Sequence, residues 1–276
     1  MKPVRDLLAA AAIQLDGDGA RLDAELLLAH ACGQSRAWLY AHAGDGIEDG
    51  ARIHFEHLVQ RRAGGEPIAY LIGHREFWSL DLAVTPAVLI PRPETELLVE
   101  LALARIATDR DCAVADLGTG SGAIALALAR ERPCARIVAT DASAAALDVA
   151  RANAEHLDTT NITYIQGDWC TALGGGHFDL IVSNPPYIAA ADPHLQQGDL
   201  RHEPVSALAS GVDGLDAIRR ICADARDHLL AQGWLLLEHG WDQAQRVREL
   251  MLRHGFRNVH SVRDCNDHER VTLAIR

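Results

Sequence analysis

The feature that most constrains the fold is an alternation of strand-like and helix-like segments from about residue 94 onwards. Short apolar runs such as CAVADLG, ARIVATD and FDLIVSN are typical of buried strands, whereas AIALALARER and AAALDVARANAEHL have helical periodicity. Strands that alternate with helices predict a parallel, doubly wound α/β sheet. Such sheets bind ligands beyond the carboxyl ends of their strands, so we expect the chemistry there.

The same alternation continues towards the end of the chain. GLDAIRRICADARDHLLAQ predicts a helix, WLLLEHG a strand and QAQRVRELMLRHG another helix. The last segment, FRNVHSVRDCNDHERVTLAIR, contains two strand-like runs joined by a polar turn rather than by a helix. This connection predicts an antiparallel strand that finishes the sheet.

The first part of the chain has a different pattern. Residues 4 to about 63 are rich in Ala and Leu at helical spacing, with Leu22, Leu26 and Ala29 predicted on one face, and Gly and Asp clusters divide them into several helices. EFWSLDLAVTPAVLI then predicts a hairpin or edge strands. We therefore expect a helical N-terminal domain over residues 1–74, a linker hairpin over 75–92 and an α/β domain over 93–276.

Composition limits the partners and the compartment. The formal net charge of −12 argues against a protein that grips duplex nucleic acid through Lys and Arg. The 6 cysteines are scattered without a Cys-x-x-Cys pair, so neither a metal site nor a disulfide framework is expected. The apolar stretch near the start is too short and too charged for a membrane span or signal peptide, which predicts a cytoplasmic protein.

A glycine-rich loop follows the first strand of the α/β region. It reads Asp116-Leu117-Gly118-Thr119-Gly120-Ser121-Gly122 and leads directly into a helix. Glycines at such a turn let the backbone approach a ligand closely. Gly118-x-Gly120-x-x-Ala123 also satisfies a dinucleotide fingerprint, so the glycines alone do not choose the cofactor.

The next two strands also end in residues suited to a nucleoside. Asp141 is placed to accept hydrogen bonds from ribose hydroxyls, although it could instead cap the following helix near Ser143. Asp168 and Trp169 follow the third strand and suit an adenine, the acid near its amine and the ring against its face. Periodicity equally allows Trp169 to be a core residue.

Asn184-Pro185-Pro186-Tyr187 closes the fourth strand and has the chemistry needed to methylate a planar NH₂ group. The nitrogen of such a group is a poor nucleophile because its lone pair is delocalised. The Asn184 side-chain oxygen and the Pro185 carbonyl can accept its two hydrogens, and they bind more tightly as positive charge develops on the nitrogen. The prolines hold the carbonyl in place and Tyr187 supplies a planar wall. The alternative is a Pro-Pro turn that only ends the strand.

The glycine loop and Asn-Pro-Pro-Tyr together resemble class I amino-methyltransferases that use S-adenosyl-L-methionine. More specifically, the chain resembles the bacterial release factor glutamine methyltransferases (the PrmC/HemK family). The resemblance covers nearly the whole length, in GEPIAYLIGHREFWSLDLAV, VLIPRPETELLVE, DLGTGSGAIALALA, VSNPPYI, DPHLQQGDLRHEPVSALASGVDGL, LLLEHGWDQ and DHERVTLAIR.

This resemblance implies a seven-stranded, mainly parallel class I methyltransferase sheet behind a small helical domain. It implies methylation of the glutamine side-chain nitrogen N5 in the Gly-Gly-Gln motif of class I peptide-chain release factors, with the helical domain as docking element and the enzyme as a monomer. The implied cofactor residues are Gly118, Thr119, Gly120, Ser121, Gly122, Asp141, Trp169 and Asn184; the implied catalytic and glutamine-binding residues are Asn184, Pro185, Pro186 and Tyr187. Arg92, Glu94 and Thr95 in PRPETE should border the site, with individual roles that the sequence does not assign.

Three other functions are compatible with parts of the sequence. An N6-adenine methyltransferase acting on DNA or RNA shares the Asn-Pro-Pro-Tyr chemistry, but the chain is acidic and has no segment rich in Arg and Lys. An NAD-dependent oxidoreductase explains the glycines and leaves Asn-Pro-Pro-Tyr without a role. A non-enzymatic adaptor for release factors would not need either motif intact.

Overall fold

The structure is a computed structural model and describes residues 2–276. Contacts within the chain divide it into two compact units, one that ends at His74 and one from Arg75 to Arg276. Within residues 2–276, no helix has both the length and the apolar character needed to cross a membrane.

The first unit is helical. Its helices bury one core that includes Val4, Leu27, Leu28 and Phe55. The predicted face of the second helix is wrong in part, because Leu22 is 46% exposed while Leu27 and Leu28 are fully buried. The helices are α1 (Val4–Leu15), α2 (Ala20–Cys32), α3 (Arg36–Ala41), α4 (Asp49–Ala63) and α5 (Ile68–Ile72).

A two-stranded sheet follows, formed by β1 (His74–Phe77) and β2 (Leu80–Ala83). Its turn consists of Trp78 and Ser79, which both have positive φ, at 52° and 56°. A two-residue turn with positive φ at both positions matches the twist of paired strands, which explains the tight hairpin.

The second unit contains the predicted doubly wound sheet, and the predicted fold class is confirmed. The seven strands lie in the order β5-β4-β3-β6-β7-β9-β8, and the pairs between β5 and β7 are all parallel. The strands are β3 (Ala113–Leu117), β4 (Arg136–Asp141), β5 (Ile162–Gln166), β6 (Phe178–Ser183), β7 (Leu229–Glu238), β8 (Arg257–Arg263) and β9 (Glu269–Ile275).

Helices cover both faces of this sheet, and one of them is almost entirely buried. That helix, α7, follows the glycine loop and is rich in Ala, so the neighbouring layers approach it closely. The helices are α6 (Glu96–Leu103), α7 (Ala123–Glu131), α8 (Ala144–His156), α9 (Val205–Leu208), α10 (Asp216–His228) and α11 (Ala244–Arg253).

Two predictions about the end of the chain need correction. The helix predicted to run to Gln232 ends at His228, because Leu229 already pairs with Phe178 of β6 and begins β7. The last strand, β9, is antiparallel as predicted, but it does not form the edge of the sheet. It is inserted between β7 and β8 and pairs with both, and its residues 271–274 are buried.

Candidate active site

The carboxyl ends of β3 to β6 surround a cavity of about 330 Å³. Its lining includes Gly118, Gly120, Asp141, Trp169 and Asn184, which were predicted from four separate segments of the sequence. The other predicted cofactor residues, Thr119, Ser121 and Gly122, do not line it. Thr119 and Ser121 are 6% and 3% exposed and form the buried side of the loop.

The glycine loop is bent back against the neighbouring strand. The backbone N–H groups of Gly118 and Thr119 both donate to the Thr140 carbonyl, at 2.8 and 2.9 Å. Gly118 has φ of +72°, and a Cβ atom there would lie 3.0 Å from the ring of Trp169. Gly120 has φ of +57° and no atom within 4 Å of the corresponding position, so its missing side chain leaves open space in the cavity.

Buried polar groups form hydrogen bonds with the glycine loop on the side away from the cavity. Asp116 is fully buried and accepts a hydrogen bond of 2.6 Å from the Thr119 hydroxyl. Burial raises the pKa of the Asp116 carboxyl to about 7, against the lowering effect of the Thr119 bond. Asn153 donates to the Ser121 carbonyl at 2.9 Å and also bonds the backbone of Ala83. These bonds fix the loop without occupying the cavity.

Asp141 lies at the end of β4, where its carboxylate meets the loop. One oxygen accepts from the Gly120 N–H and the other from the Ser143 N–H, each at 2.9 Å. The side-chain cap of α8 is Ser143, which accepts from the Ala146 N–H at 3.2 Å. Each Asp141 oxygen therefore keeps acceptor capacity for a ligand hydroxyl.

Trp169 takes part in both the cavity and the core. Its ring stands over Gly118 and lines the cavity, and the residue also packs against the apolar layer beneath β3 and β6. The neighbouring Asp168 pairs with Arg220 of α10. Trp169 therefore lines the cavity and also packs against the core, and its contact with an adenine stays a prediction.

A smaller cavity of about 60 Å³ adjoins the first. Arg92, Pro185 and Tyr187 line only this smaller cavity, whereas Asn184 and Pro186 line both. Leu89 also lines both cavities, although this aliphatic residue is neither polar nor a glycine and was not predicted in the site. Asn184 and Pro186 thus belong to the wall that the two cavities share.

The amide of Asn184 is held on one side only. Its Nδ2 donates to the Thr95 hydroxyl at 3.0 Å. No hydrogen bond from residues 2–276 reaches the Asn184 Oδ1 atom or the Pro185 carbonyl. Two acceptors are therefore available beside the wall between the cavities.

The segment that carries these acceptors is fixed at its far end. The Tyr187 carbonyl accepts from the side chain of Gln243 at 2.9 Å. Ile188 forms backbone hydrogen bonds with Leu208 and Ser210, at 2.9 and 2.8 Å. A rigid Pro-Pro pair between two anchored ends leaves the Pro185 carbonyl little freedom to turn.

Two buried acids complete the surroundings, and the sequence motifs did not single out either. Glu203 accepts from the Ile90 N–H at 3.0 Å and pairs with Arg92, which places that guanidinium beside the smaller cavity. Glu238, at the end of β7, is 1% exposed and accepts from the Tyr187 hydroxyl at 3.3 Å. Burial and the Glu238 charge raise the pKa of Tyr187, so its hydroxyl keeps its proton.

Comparison with known proteins agrees with this arrangement. Residues 6–73 match a family model described as the PrmC N-terminal domain, and residues 94–200 match the methyltransferase small domain. A methyltransferase of known structure from Pyrococcus furiosus shares the fold, with a TM-score of 0.54 and 17% identity over 78% of this chain and 96% of that one.

Curated relatives cover almost the whole chain. The release factor glutamine methyltransferase of Xylella fastidiosa is 54% identical over 97% of this chain and 96% of its own. The protein of the same name from Escherichia coli is 50% identical over 92% of this chain and 91% of its own. An oxidoreductase and a non-enzymatic adaptor are therefore not supported, and the chain belongs to the release factor glutamine methyltransferase family.

Proposed function

We propose that this protein transfers a methyl group from S-adenosyl-L-methionine to the side-chain nitrogen N5 of the glutamine in the Gly-Gly-Gln motif of class I peptide-chain release factors. The observation that carries the proposal is the pair of available acceptors, Asn184 Oδ1 and the Pro185 carbonyl, at the wall between two cavities. A primary amide has two hydrogens, and this pair can accept both.

The larger cavity suits the cofactor. Gly120 leaves space where a side chain would stand, Asp141 keeps acceptor capacity for ribose hydroxyls, and the Trp169 ring offers an apolar face for the adenine. When bound, S-adenosyl-L-methionine supplies a methyl group activated by its positively charged sulfur. Thr119, Ser121 and Gly122 contribute by shaping the loop rather than by lining the cavity.

The smaller cavity suits the substrate amide. Pro186 and Tyr187 line it, so the planar end of a glutamine side chain can lie against them beside the two acceptors. The net charge of −12 disfavours the alternative, the N6 amine of adenine in a nucleic acid.

Catalysis then follows from positioning and from the two acceptors. Asn184 and Pro185 hold the N–H groups of the amide, which turns the nitrogen lone pair towards the larger cavity. As the nitrogen acquires positive charge, its hydrogens become stronger donors and both hydrogen bonds strengthen. The transition state is therefore bound more tightly than the ground state. The methylated nitrogen releases one proton to solvent after the transfer, so no strong base is needed beside it.

The proposal extends to the partner and the compartment. We infer that residues 1–74 dock the release factor, that 75–92 link them to the catalytic domain at 93–276, and that the enzyme acts as a monomer in the cytoplasm, where its substrate works. Sedimentation equilibrium tests the oligomeric state, and a concentration-dependent dimer would contradict it.

A methylation assay tests the proposed substrate. The purified protein and labelled S-adenosyl-L-methionine are incubated separately with a class I release factor, the same factor with Ala in place of the motif glutamine, duplex DNA and ribosomal RNA. We expect label only in the unaltered release factor. Label in nucleic acid alone would instead support the adenine N6 alternative.

A further inference from the structure

Arg92, which lines the smaller cavity, has a restricted backbone. It stands between Pro91 and Pro93, and a residue that precedes a proline is confined to an extended conformation. The φ of −99° and ψ of 141° at Arg92 agree with this restriction. The two prolines therefore limit how far the main chain of Arg92 can turn away from the cavity.

Glu203 holds the guanidinium of Arg92. One oxygen of its carboxylate pairs with the Arg92 Nη2, and the other accepts from the Ile90 N–H at 3.0 Å. The Glu203 side chain is fully buried, and it comes from a segment 111 residues further along the chain. Glu203 therefore fixes both the side chain of Arg92 and the backbone two residues before it.

Most of the hydrogen-bond donors of Arg92 are unused. A guanidinium has five N–H groups, and the bond to Glu203 is the only one that this side chain makes within residues 2–276. The Arg92 side chain is 29% exposed, and it lines the smaller cavity but not the larger one. Its free donors are therefore available on the substrate side of the site and not in the proposed cofactor cavity.

The position of Arg92 suits the main chain of the proposed substrate. When the glutamine amide lies beside Asn184 and Pro185, only two methylene groups separate it from its own Cα atom, so the main chain of the motif lies near the smaller cavity. Glycines have no side chain and can be recognised only through their backbone groups. Their carbonyl oxygens are acceptors, whereas Arg92 offers donors alone.

The ion pair also cancels a charge that would slow the reaction. During methyl transfer, positive charge moves from the sulfur towards the substrate nitrogen, and a lone guanidinium nearby would repel it. Glu203 neutralises the guanidinium while leaving its other N–H groups free. Replacing a buried ion pair by apolar residues is often neutral for stability, so stability alone does not explain the pair.

We propose that Arg92 binds the main-chain carbonyl groups of the two glycines that precede the target glutamine, and that Glu203 is a positioning residue that holds and neutralises Arg92. The identity of the substrate rests on the proposed function. The ion pair itself is a feature of the free protein.

The kinetic test uses Arg92→Met, which keeps an unbranched side chain but has no donors. We expect the KM for the release factor to rise about tenfold or more, the effect of losing a hydrogen bond from a charged group, while kcat changes much less. Calorimetry should give an unchanged affinity for S-adenosyl-L-methionine. Arg92→Lys, which keeps the charge and some donors, should recover part of the loss. An unchanged KM in Arg92→Met would overturn the proposal.

Arg248→Met is the matched control. Arg248 is also 29% exposed and pairs with a glutamate, Glu269, but it lines neither cavity. Its KM and kcat should stay near the wild-type values. An equal rise of KM in Arg248→Met and Arg92→Met would show a general effect of protein charge and would overturn the specific role of Arg92.

The role of Glu203 is tested with Glu203→Gln, alone and together with Arg92→Met. We expect Glu203→Gln to lower kcat severalfold, because Arg92 is then a cation without a partner near the reacting nitrogen. Arg92→Met removes this cation, so the double variant should recover the kcat of Arg92→Met. The double variant buries no unpaired charge, which keeps the test usable if Arg92→Met alone is unstable. Losses of kcat that add in the double variant would mean that Glu203 only supports the fold, and its positioning role would fail.

The same assays separate this proposal from the proposed function. If the wild-type protein labels no release factor, the substrate assignment fails and the role of Arg92 fails with it. If the wild-type protein labels the release factor and Arg92→Met has an unchanged KM, only the role of Arg92 fails and the substrate assignment stands.

Discussion

The backbone N–H of Gly120 donates a hydrogen bond of 2.9 Å to the side chain of Asp141. This bond connects the glycine loop after β3 with the acid at the end of β4, two features that the sequence presents as separate signals. It gives Asp141 a part in holding the loop in addition to its expected part at the ribose. Substitutions of Asp141 therefore act on two features of the same cavity.

The first prediction concerns Asp141→Ala, which removes the proposed acceptors for the ribose and the observed acceptor for the Gly120 N–H. We expect the affinity for S-adenosyl-L-methionine to fall about tenfold to a hundredfold, equivalent to roughly 1.4–3 kcal/mol and typical of one or two hydrogen bonds to a charged group. Isothermal calorimetry measures the change. Asp141→Asn, which keeps one acceptor oxygen, should lie between this variant and the wild type.

Ser35→Ala is the matched control for a capping role. It removes the side-chain cap of α3, outside the cavity, and should lower the free energy of unfolding by about 1 kcal/mol while leaving the cofactor affinity nearly unchanged. If Asp141→Ala behaves like Ser35→Ala in both measurements, Asp141 serves the helix and not the cofactor.

The second prediction concerns Asn184→Ala, which removes one of the two proposed acceptors. We expect kcat to fall by about two orders of magnitude or more, the size seen when one preorganised group that stabilises the transition state is removed. The affinity for S-adenosyl-L-methionine should change much less. Asn266→Ala, at an exposed turn, is the control and should leave kcat unaltered. Turnover preserved in Asn184→Ala would remove the acceptor role.

The third prediction compares two glycines with positive φ. Gly118→Ala and Gly33→Ala each place a side chain in the left-handed region, at φ of +72° and +61°, so each should destabilise the protein by about 1–2 kcal/mol. Only the methyl group at position 118 meets the Trp169 ring. We expect thermal unfolding to show a loss in both variants and calorimetry to show weaker cofactor binding in Gly118→Ala alone. Equal cofactor affinities would show that the contact with Trp169 does not matter for binding.

The fourth prediction concerns pH. Burial raises the pKa of Glu238 to about 7, while the Thr95 hydroxyl, Arg270 and Tyr187 lower it and Glu94 raises it further. Below this pH the carboxyl is protonated, which weakens its hydrogen bond from the Tyr187 hydroxyl at the wall of the smaller cavity. We expect kcat to rise as pH increases through about 7, and Glu238→Gln to lose this part of the profile. The same inflection in the variant would assign it to another group, such as Asp116.

The raised pKa of Glu238 also determines how the stability of the protein changes with pH. Because the folded pKa of Glu238 is about 7 and its ordinary value is 4.5, the ionised group costs stability. That cost is absent below 4.5, grows as pH rises to about 7 and is constant above it. Chemical denaturation should therefore show the wild-type protein losing stability relative to Glu238→Gln across this interval. A constant difference between the two proteins would mean that the pKa is not raised.

The sequence predicted the strands, helices and site residues that follow from local pattern. It did not predict contacts between segments that are distant along the chain. Gly120, Asp141 and Asn184 could be located because each follows directly after a strand in a parallel sheet. Glu203 and Glu238 could not be assigned roles, because their contacts with Ile90 and Tyr187 join segments 113 and 51 residues apart. Leu89 could not be predicted in the site, because an aliphatic side chain has the same sequence pattern in a core and in a cavity wall.

The position of β9 in the strand order also could not be predicted from local pattern. VTLAI was recognisable as a strand, but no local pattern distinguishes an edge strand from one inserted between β7 and β8. Its four fully or nearly buried central residues, Val271, Thr272, Leu273 and Ala274, are consistent with an inner position only once its neighbours are known.

Mass spectrometry of the Gly-Gly-Gln peptide tests the central claim most directly. A class I release factor is incubated with the protein and S-adenosyl-L-methionine, digested, and the peptide is fragmented to locate any added methyl group. We predict one methyl group on the side-chain nitrogen of the glutamine, and none when Asn184→Ala replaces the wild-type protein. An unmodified glutamine in the presence of active, cofactor-bound wild-type protein would contradict the account.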